Sequence, residues 1–114
     1  MYASRLRKAE VLTQIGLSVF NSALSDKGSS CLYSLVAHFL VEAFMQDPST
    51  RCRGNLHKFF CHPKLSRLTI SPISFGFSPE QVAEVCLAEA AVARSERGLN
   101  ELHILIDKEE LELQ

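Results

Sequence analysis

Between Arg51 and Arg67 the chain reads RCRGNLHKFFCHPKLSR. Two cysteines, Cys52 and Cys61, and two histidines, His57 and His62, fall in this stretch beside Arg51, Arg53, Lys58, Lys64 and Arg67, with no acidic residue among them. Thiolate and imidazole are zinc ligands, and zinc takes four such donors in a tetrahedron. His57 and Cys61 stand at i, i+4, one turn apart on a helix, and can chelate a single ion. Cys52 could swing in from a preceding loop. His62 neighbours Cys61 and points to another face, so a fourth ligand would come from Cys86 or His103. The expected zinc set is therefore Cys52, His57 and Cys61, one ligand short, at a spacing that fits no standard knuckle or finger. The alternative is that Cys61 is a half-buried small apolar residue and the histidines are surface groups.

The same segment has the make-up of a phosphate-binding surface. Arg51, Arg53, Lys58, Lys64 and Arg67 could contact a nucleic-acid backbone, with help from Arg5, Arg7 and Lys8. Phe59 or Phe60 could stack on exposed bases. Against this, a helix over this stretch turns Leu56, Phe59 and Phe60 to one face, which fits a core equally well. The formal net charge is also only −1, whereas a dedicated nucleic-acid domain is usually basic overall. That small charge hides an asymmetry: residues 1–70 sum to +5 and residues 71–114 to −6. Two halves of opposite sign can neutralise each other within one chain or head to tail between copies.

Enzymatic chemistry has little to stand on. A Cys–His nucleophile needs both side chains adjacent and the thiolate stabilised. Cys31 with His38 and Cys86 with His103 are the pairs to consider, and helix-core packing is the simpler role for both cysteines. Ser74–Ser78 places one glycine ahead of a helix start, far less than a phosphate-binding loop. The glutamates at 109, 110 and 112 read as a solvated tail.

The elements that must hold these residues follow from periodicity. Residues 4–24 form an amphipathic helix with Leu12, Ile15, Val19 and Ala23 in one stripe, widened by Leu17, Phe20 and Leu24. A loop around Gly28 leads into residues 31–46, apolar at nearly every position except Ser34, His38, Glu42 and Gln46. Those four recur every fourth residue and make one narrow polar stripe. A helix apolar nearly all round is buried nearly all round. It is either the central helix of the domain or the core of a self-association interface formed by Leu32, Leu35, Val36, Phe39, Leu40 and Phe44. In the second case the polar stripe would set the register between copies. Asp47-Pro48 ends it.

A short helix capped by Asn55 and stopped by Pro63 is expected next. Alternation at Leu68 and Ile70, then at Ile73, Phe75 and Phe77, reads as strand interrupted by Pro72. Ser78, Pro79 and Gln81 spell a helix N-terminus with a capping box, and Phe77 with Val82 a hydrophobic staple. That helix runs to about Glu96 and stops at Gly98. Leu102, Ile104 and Ile106 then alternate as a strand. The expected fold is α+β: a helical pair over 1–47, a basic Cys/His-containing connector over 48–70, and a β-α-β-like half with an acidic tail over 71–114, all in a single domain.

At 114 residues there is room for one core. The mean hydropathy of +0.06 is slightly apolar for so small a domain, which points to apolar surface shared with a partner or a second copy. The four cysteines form no C-x-x-C, and Cys31–Met45 is too short and too polar to span a membrane. The basic N-terminus is broken by Thr13, Gln14, Ser18 and Asn21, too polar for a secretory signal, while a mitochondrial presequence is the weaker alternative. The expectation is an intracellular, cytoplasmic protein with reduced thiols and no membrane partner. Its expected role is non-enzymatic: a regulatory or adaptor protein that forms homo-oligomers through the apolar helix and binds a macromolecular, most simply protein, partner. The alternative is a zinc-supported RNA- or DNA-binding protein centred on 51–67. No cofactor other than zinc is implied.

Overall fold

A computed structural model describes residues 2–25, 30–70 and 77–106. The chain is mostly helical, with one small sheet: α1 (Tyr2–Ser25), α2 (Ser30–Gln46), α3 (Thr50–Phe60), β1 (Arg67–Ile70), α4 (Pro79–Glu96) and β2 (His103–Ile106). The α+β class expected from periodicity holds at this level.

α1 and α2 pack against each other through much of the predicted apolar stripe, with Leu12, Phe20 and Ala23 buried and Leu17 and Val19 against the core, but the face is shifted toward small residues. The buried positions of α1 are Ala9, Leu12, Thr13, Gly16, Phe20 and Ala23, whereas Ile15 and Leu24 are exposed. Small residues recur every seventh position, at Ala9, Gly16 and Ala23, and let the two backbones approach closely. A methyl group added at Gly16 would stand 2.8 Å from Leu40 Cδ2. Close approach at Gly16, together with the bulk of Leu12 and Phe20, therefore sets the contact face.

α2 is the central helix. Val36, Ala37, Leu40, Val41 and Ala43 are fully enclosed, and the first four join Leu56, Phe59, Phe60, Leu65, Leu68, Ile70, Val82 and Cys86 in one core. The polar stripe turns inward rather than out. Ser34 Oγ donates to the Thr69 carbonyl of β1, and His38 and Glu42 are both buried. Burial holds the His38 imidazole below its ordinary pKa, because the charged ring is poorly solvated there.

α3 starts earlier than expected. Ser49, not Asn55, is its N-cap, and the Ser49 hydroxyl accepts from the Cys52 N–H at 3.1 Å. The expected loop containing Arg51, Cys52 and Arg53 is thus the first turn of a helix, and Cys52, Leu56, Phe59 and Phe60 form its buried stripe.

β1 and β2 are parallel, with Arg67 opposite His103 and Ile70 opposite Ile106. The parallel strand–helix–strand unit is present, but its first strand is Arg67–Ile70, within the segment read as connector. The expected strand over Ile73–Phe77 lies almost wholly outside the described residues, and Phe77 itself is in a bend. Leu68 and Ile70 are buried while Arg67 and Thr69 are exposed, so one face of the sheet packs on the core.

α4 has the predicted start. Ser78 Oγ accepts from the Gln81 N–H and Gln81 Oε1 from the Ser78 N–H, at 3.1 and 3.0 Å. Its end is a Schellman motif: Gly98 N–H bonds the Ser95 carbonyl and Leu99 N–H the Arg94 carbonyl, with Gly98 at φ +65°, where glycine carries no steric penalty.

Candidate functional site

The residues expected to hold zinc diverge. Cys52 is buried, its thiol 3.9 Å from Asp47 Oδ2. His57 Nε2 donates to Glu89 Oε1 on α4 at 2.7 Å. Cys61 turns to the α4 backbone, donating to the Ala93 carbonyl at 3.3 Å. The three donors therefore face three different neighbours. Among the described residues no group of three or more His, Cys, Asp or Glu side chains could hold a metal ion. The set does not come together because α3 is a full helix from residue 50: Cys52, five residues from His57 and nine from Cys61, lies on the far side of that helix from both. His62 points elsewhere, as expected. It lies edge-on to Phe20 with ring centres 5.6 Å apart, and its Nδ1 accepts from the Lys64 N–H. Burial, and secondarily the Lys64 charge, lower its pKa.

The basic residues split. Arg51, Lys58, Lys64 and Arg67 are exposed. Arg53 is exposed as well, but its Nε bonds Glu89 Oε1 at 2.8 Å, which ties one edge of its guanidinium to α4. Phe59 and Phe60 are fully buried, so neither can stack on a base. Of the nucleic-acid surface expected from sequence, cations remain and aromatic platforms do not.

Glu89 joins α4 to α3 by accepting from both His57 and Arg53 at one oxygen. Burial by itself would push this carboxyl up. The two hydrogen bonds, with the charges of Arg53 and His57, outweigh that and hold it below the usual carboxylate range. The trio acts as a strut between two helices: among the described residues no hydroxyl or thiol is hydrogen-bonded to it.

Neither Cys–His pair forms. Cys31 is exposed while His38 is buried, and they stand two turns apart on α2. Cys86 is enclosed, its thiol pushed up to about 12 by burial, and His103 lies on the exposed face of the sheet. A thiol so desolvated stays protonated and unreactive. Ser74–Phe77 falls largely outside the described residues, and Ser78 is committed to its capping box.

Sequence periodicity missed Arg94. Its guanidinium is buried and ties three strands of backbone together: Nη1 donates to the Phe60 and Leu65 carbonyls at 2.9 and 3.2 Å, and Nε to the Asn100 carbonyl at 2.6 Å. One arginine thereby closes the end of α3, the turn before β1 and the α4–β2 connection.

Beside Arg94 lies a groove of about 660 Å³ between α4 and the start of β2, walled by Leu87, Ala91, Val92, Leu99, Leu102 and Ile104. Leu87 is 47% exposed and Val92 38%. The signal for it was in the sequence: the buried stripe of α4 runs Val82, Cys86, Ala90, Ala93, which leaves Leu87 and Val92 as large apolar residues off the stripe. Of the α2 residues expected to self-associate, Val36 and Leu40 belong to this chain's own core, so they present nothing to a second copy. Leu32, Phe39 and Phe44 are half-buried, and Leu35 is exposed.

No helix among the described residues is long and apolar enough to cross a membrane. No protein-family model matches this chain, and neither does any curated protein or any solved structure.

Proposed function

We propose that this chain is a small non-enzymatic adaptor that self-associates and offers a basic face to a macromolecular partner. The observation that carries the proposal is the α4–β2 groove, whose large apolar side chains Leu87, Val92 and Leu99 remain more than a third exposed. Contiguous apolar surface rimmed by polar residues is where proteins dock. Self-association is moved here from α2, because Val36 and Leu40, the middle of the expected α2 surface, lie in this chain's own core. The basic face consists of Arg51 and Lys58, two turns apart on α3, with Lys64 beyond it. Such a face suits an acidic protein surface, and it contacts nucleic acid only through phosphates.

Light scattering across a wide concentration range tests the first part. The expected result is a dimer that dissociates on dilution and is abolished by Leu87→Glu; a strict monomer at high concentration refutes it. Retention on an immobilised polyanion tests the basic face. It should fall with salt and be lost in the Arg51→Ala/Lys58→Ala/Lys64→Ala variant. Unchanged retention removes that face from the proposal.

A further inference from the structure

The backbone of β2 specifies how a second copy would attach. Parallel pairing sends both backbone groups of alternate residues to the same neighbour. His103 N–H bonds the Ser66 carbonyl at 3.1 Å, and with the register Arg67–His103 to Ile70–Ile106 the groups of His103 and Leu105 face β1. The groups of Leu102, Ile104 and Ile106 therefore face outward. Among the described residues no hydrogen bond reaches the Ile104 N–H or carbonyl. This open edge adjoins the groove that Leu102 and Ile104 help to wall.

An open strand edge is satisfied by another extended strand. We infer that two copies join through β2, edge to edge, about a two-fold axis at Leu105, making one four-stranded sheet in the order β1-β2-β2-β1. This rests on the self-association proposed above and names its mode. The same edge of the same strand can meet itself only antiparallel, under the isologous symmetry of a two-fold dimer. The axis falls at Leu105 because that residue is 42% exposed on the outer face of the sheet. Leu105 then meets Leu105 of the second copy as a non-hydrogen-bonded pair, the closer kind of cross-strand contact. Ile104 of each copy exchanges both hydrogen bonds with Ile106 of the other.

Area and charge both allow a second copy. α4 has 18 residues and is about 27 Å long, and the helix-plus-sheet layer is about 20 Å deep. The face thus spans roughly 500 Å² in flat projection, on the order of what a standard interface takes from each partner. Of the residues walling the groove only Arg94 and Glu101 are charged, and Arg94 is already committed to three carbonyls. Glu101 lies four residues from the axis, so the two copies of it are roughly 27 Å apart and do not meet.

Three measurements test this. Leu105→Lys and Leu105→Glu place like charges opposite each other, and each should be monomeric by light scattering with an unchanged circular dichroism spectrum. Mixing the two should restore a dimer, because only a two-fold axis at this residue sets Lys against Glu. In the wild-type chain, hydrogen exchange at the Ile104 amide should slow as concentration rises. A wild-type dimer that survives Leu105→Lys, or a mixture that stays monomeric, overturns the β2 mode while leaving self-association in place. An Ile104 amide protected equally at all concentrations also overturns it, since its partner then lies within the chain. A wild-type monomer throughout overturns both. Should Leu105→Lys fail to fold, the exchange measurement on the wild-type chain decides alone.

Discussion

Replacing Arg94 by methionine removes a buried cation and strands three backbone carbonyls. The methionine side chain follows the arginine stem and keeps most of its packing, so the loss falls mainly on the guanidinium. Hydrogen bonds to a charged group contribute about 1.5–3 kcal/mol each. Two of the three share Nη1, and one of those is long at 3.2 Å, so simple addition overstates the sum. Part is also offset by relief from keeping a cation out of water. The expected net loss is about 3–4 kcal/mol, from the roughly 5–15 kcal/mol that a domain of this size typically has. In thermal unfolding that is a fall of roughly 12–16 °C. Arg94→Lys keeps the charge but cannot reach three carbonyls on opposite sides, so it should lose about half as much. Urea unfolding followed by far-ultraviolet circular dichroism measures both, with the slope checked for constancy. If Arg94→Met shifts stability by less than about 1 kcal/mol, desolvation cancels the three bonds, and Arg94 is not what closes the end of α3 onto the α4–β2 connection.

Gly16→Ala should destabilise by about 1 kcal/mol, because crowding against Leu40 exceeds the gain in helix propensity. Gly54→Ala, whose added methyl meets nothing within 4 Å, should stabilise by about 0.5–1 kcal/mol; equal effects of the two in urea unfolding would refute the close approach of α1 and α2. Burial depresses the folded-state pKa of His38 and, with Lys64, of His62. The unfolded chain therefore takes up protons near pH 6.5 that the folded chain does not. Stability is full above that pH and falls as the pH drops below it. The urea midpoint should decline from about pH 8 to about pH 5, with a shallower slope in His62→Gln; a flat profile contradicts the burial of these rings. Glu89→Gln should cost about 1 kcal/mol at neutral pH, discounted because Arg53 is half exposed. Since the Glu89 pKa is lowered, its contribution is present above the ordinary carboxylate pKa and lost as pH falls through the lowered one. The gap between variant and wild type should therefore close in strong acid, and a gap that persists there would assign the loss to shape rather than charge.

The parts of this fold legible in the sequence are those encoded by local chemistry. Ser78, Pro79 and Gln81 mark the start of α4, and Gly98 its end, because capping depends on neighbours a few residues away. α2 was legible as a buried cylinder for the same reason. What was not legible depended on distant partners. Leu12, Phe20 and Ala23 of the α1 contact face were legible, but the shift that buries Gly16 and exposes Ile15 and Leu24 depends on how closely α2 approaches. From sequence α3 reads too short, because Gly54 and a run of cations resemble a loop, and Cys52 then reads as a candidate ligand on a loop rather than as the buried residue of a helical first turn that it is. Burial of His38 follows from a polar stripe on a helix buried nearly all round, whereas the bond from Ser34 to the Thr69 carbonyl needed the position of β1. Arg94 stood in an alanine-rich helix as one more charge, and only the carbonyl groups converging on it from 29 to 34 residues away distinguish it.

Ser34 gives the small sheet a direction. The Thr69 carbonyl belongs to the outer edge of β1, and the hydroxyl of α2 already occupies it, so a strand added on that side would have to displace it. A sheet open on both sides adds strands without limit and grows into a fibre. One closed on the β1 side and open on the β2 side stops after a single addition. A hydroxyl on the central helix would thus set stoichiometry: assembly through this sheet ends at two, and a Ser34→Ala chain would lose one of the stops that keep it there.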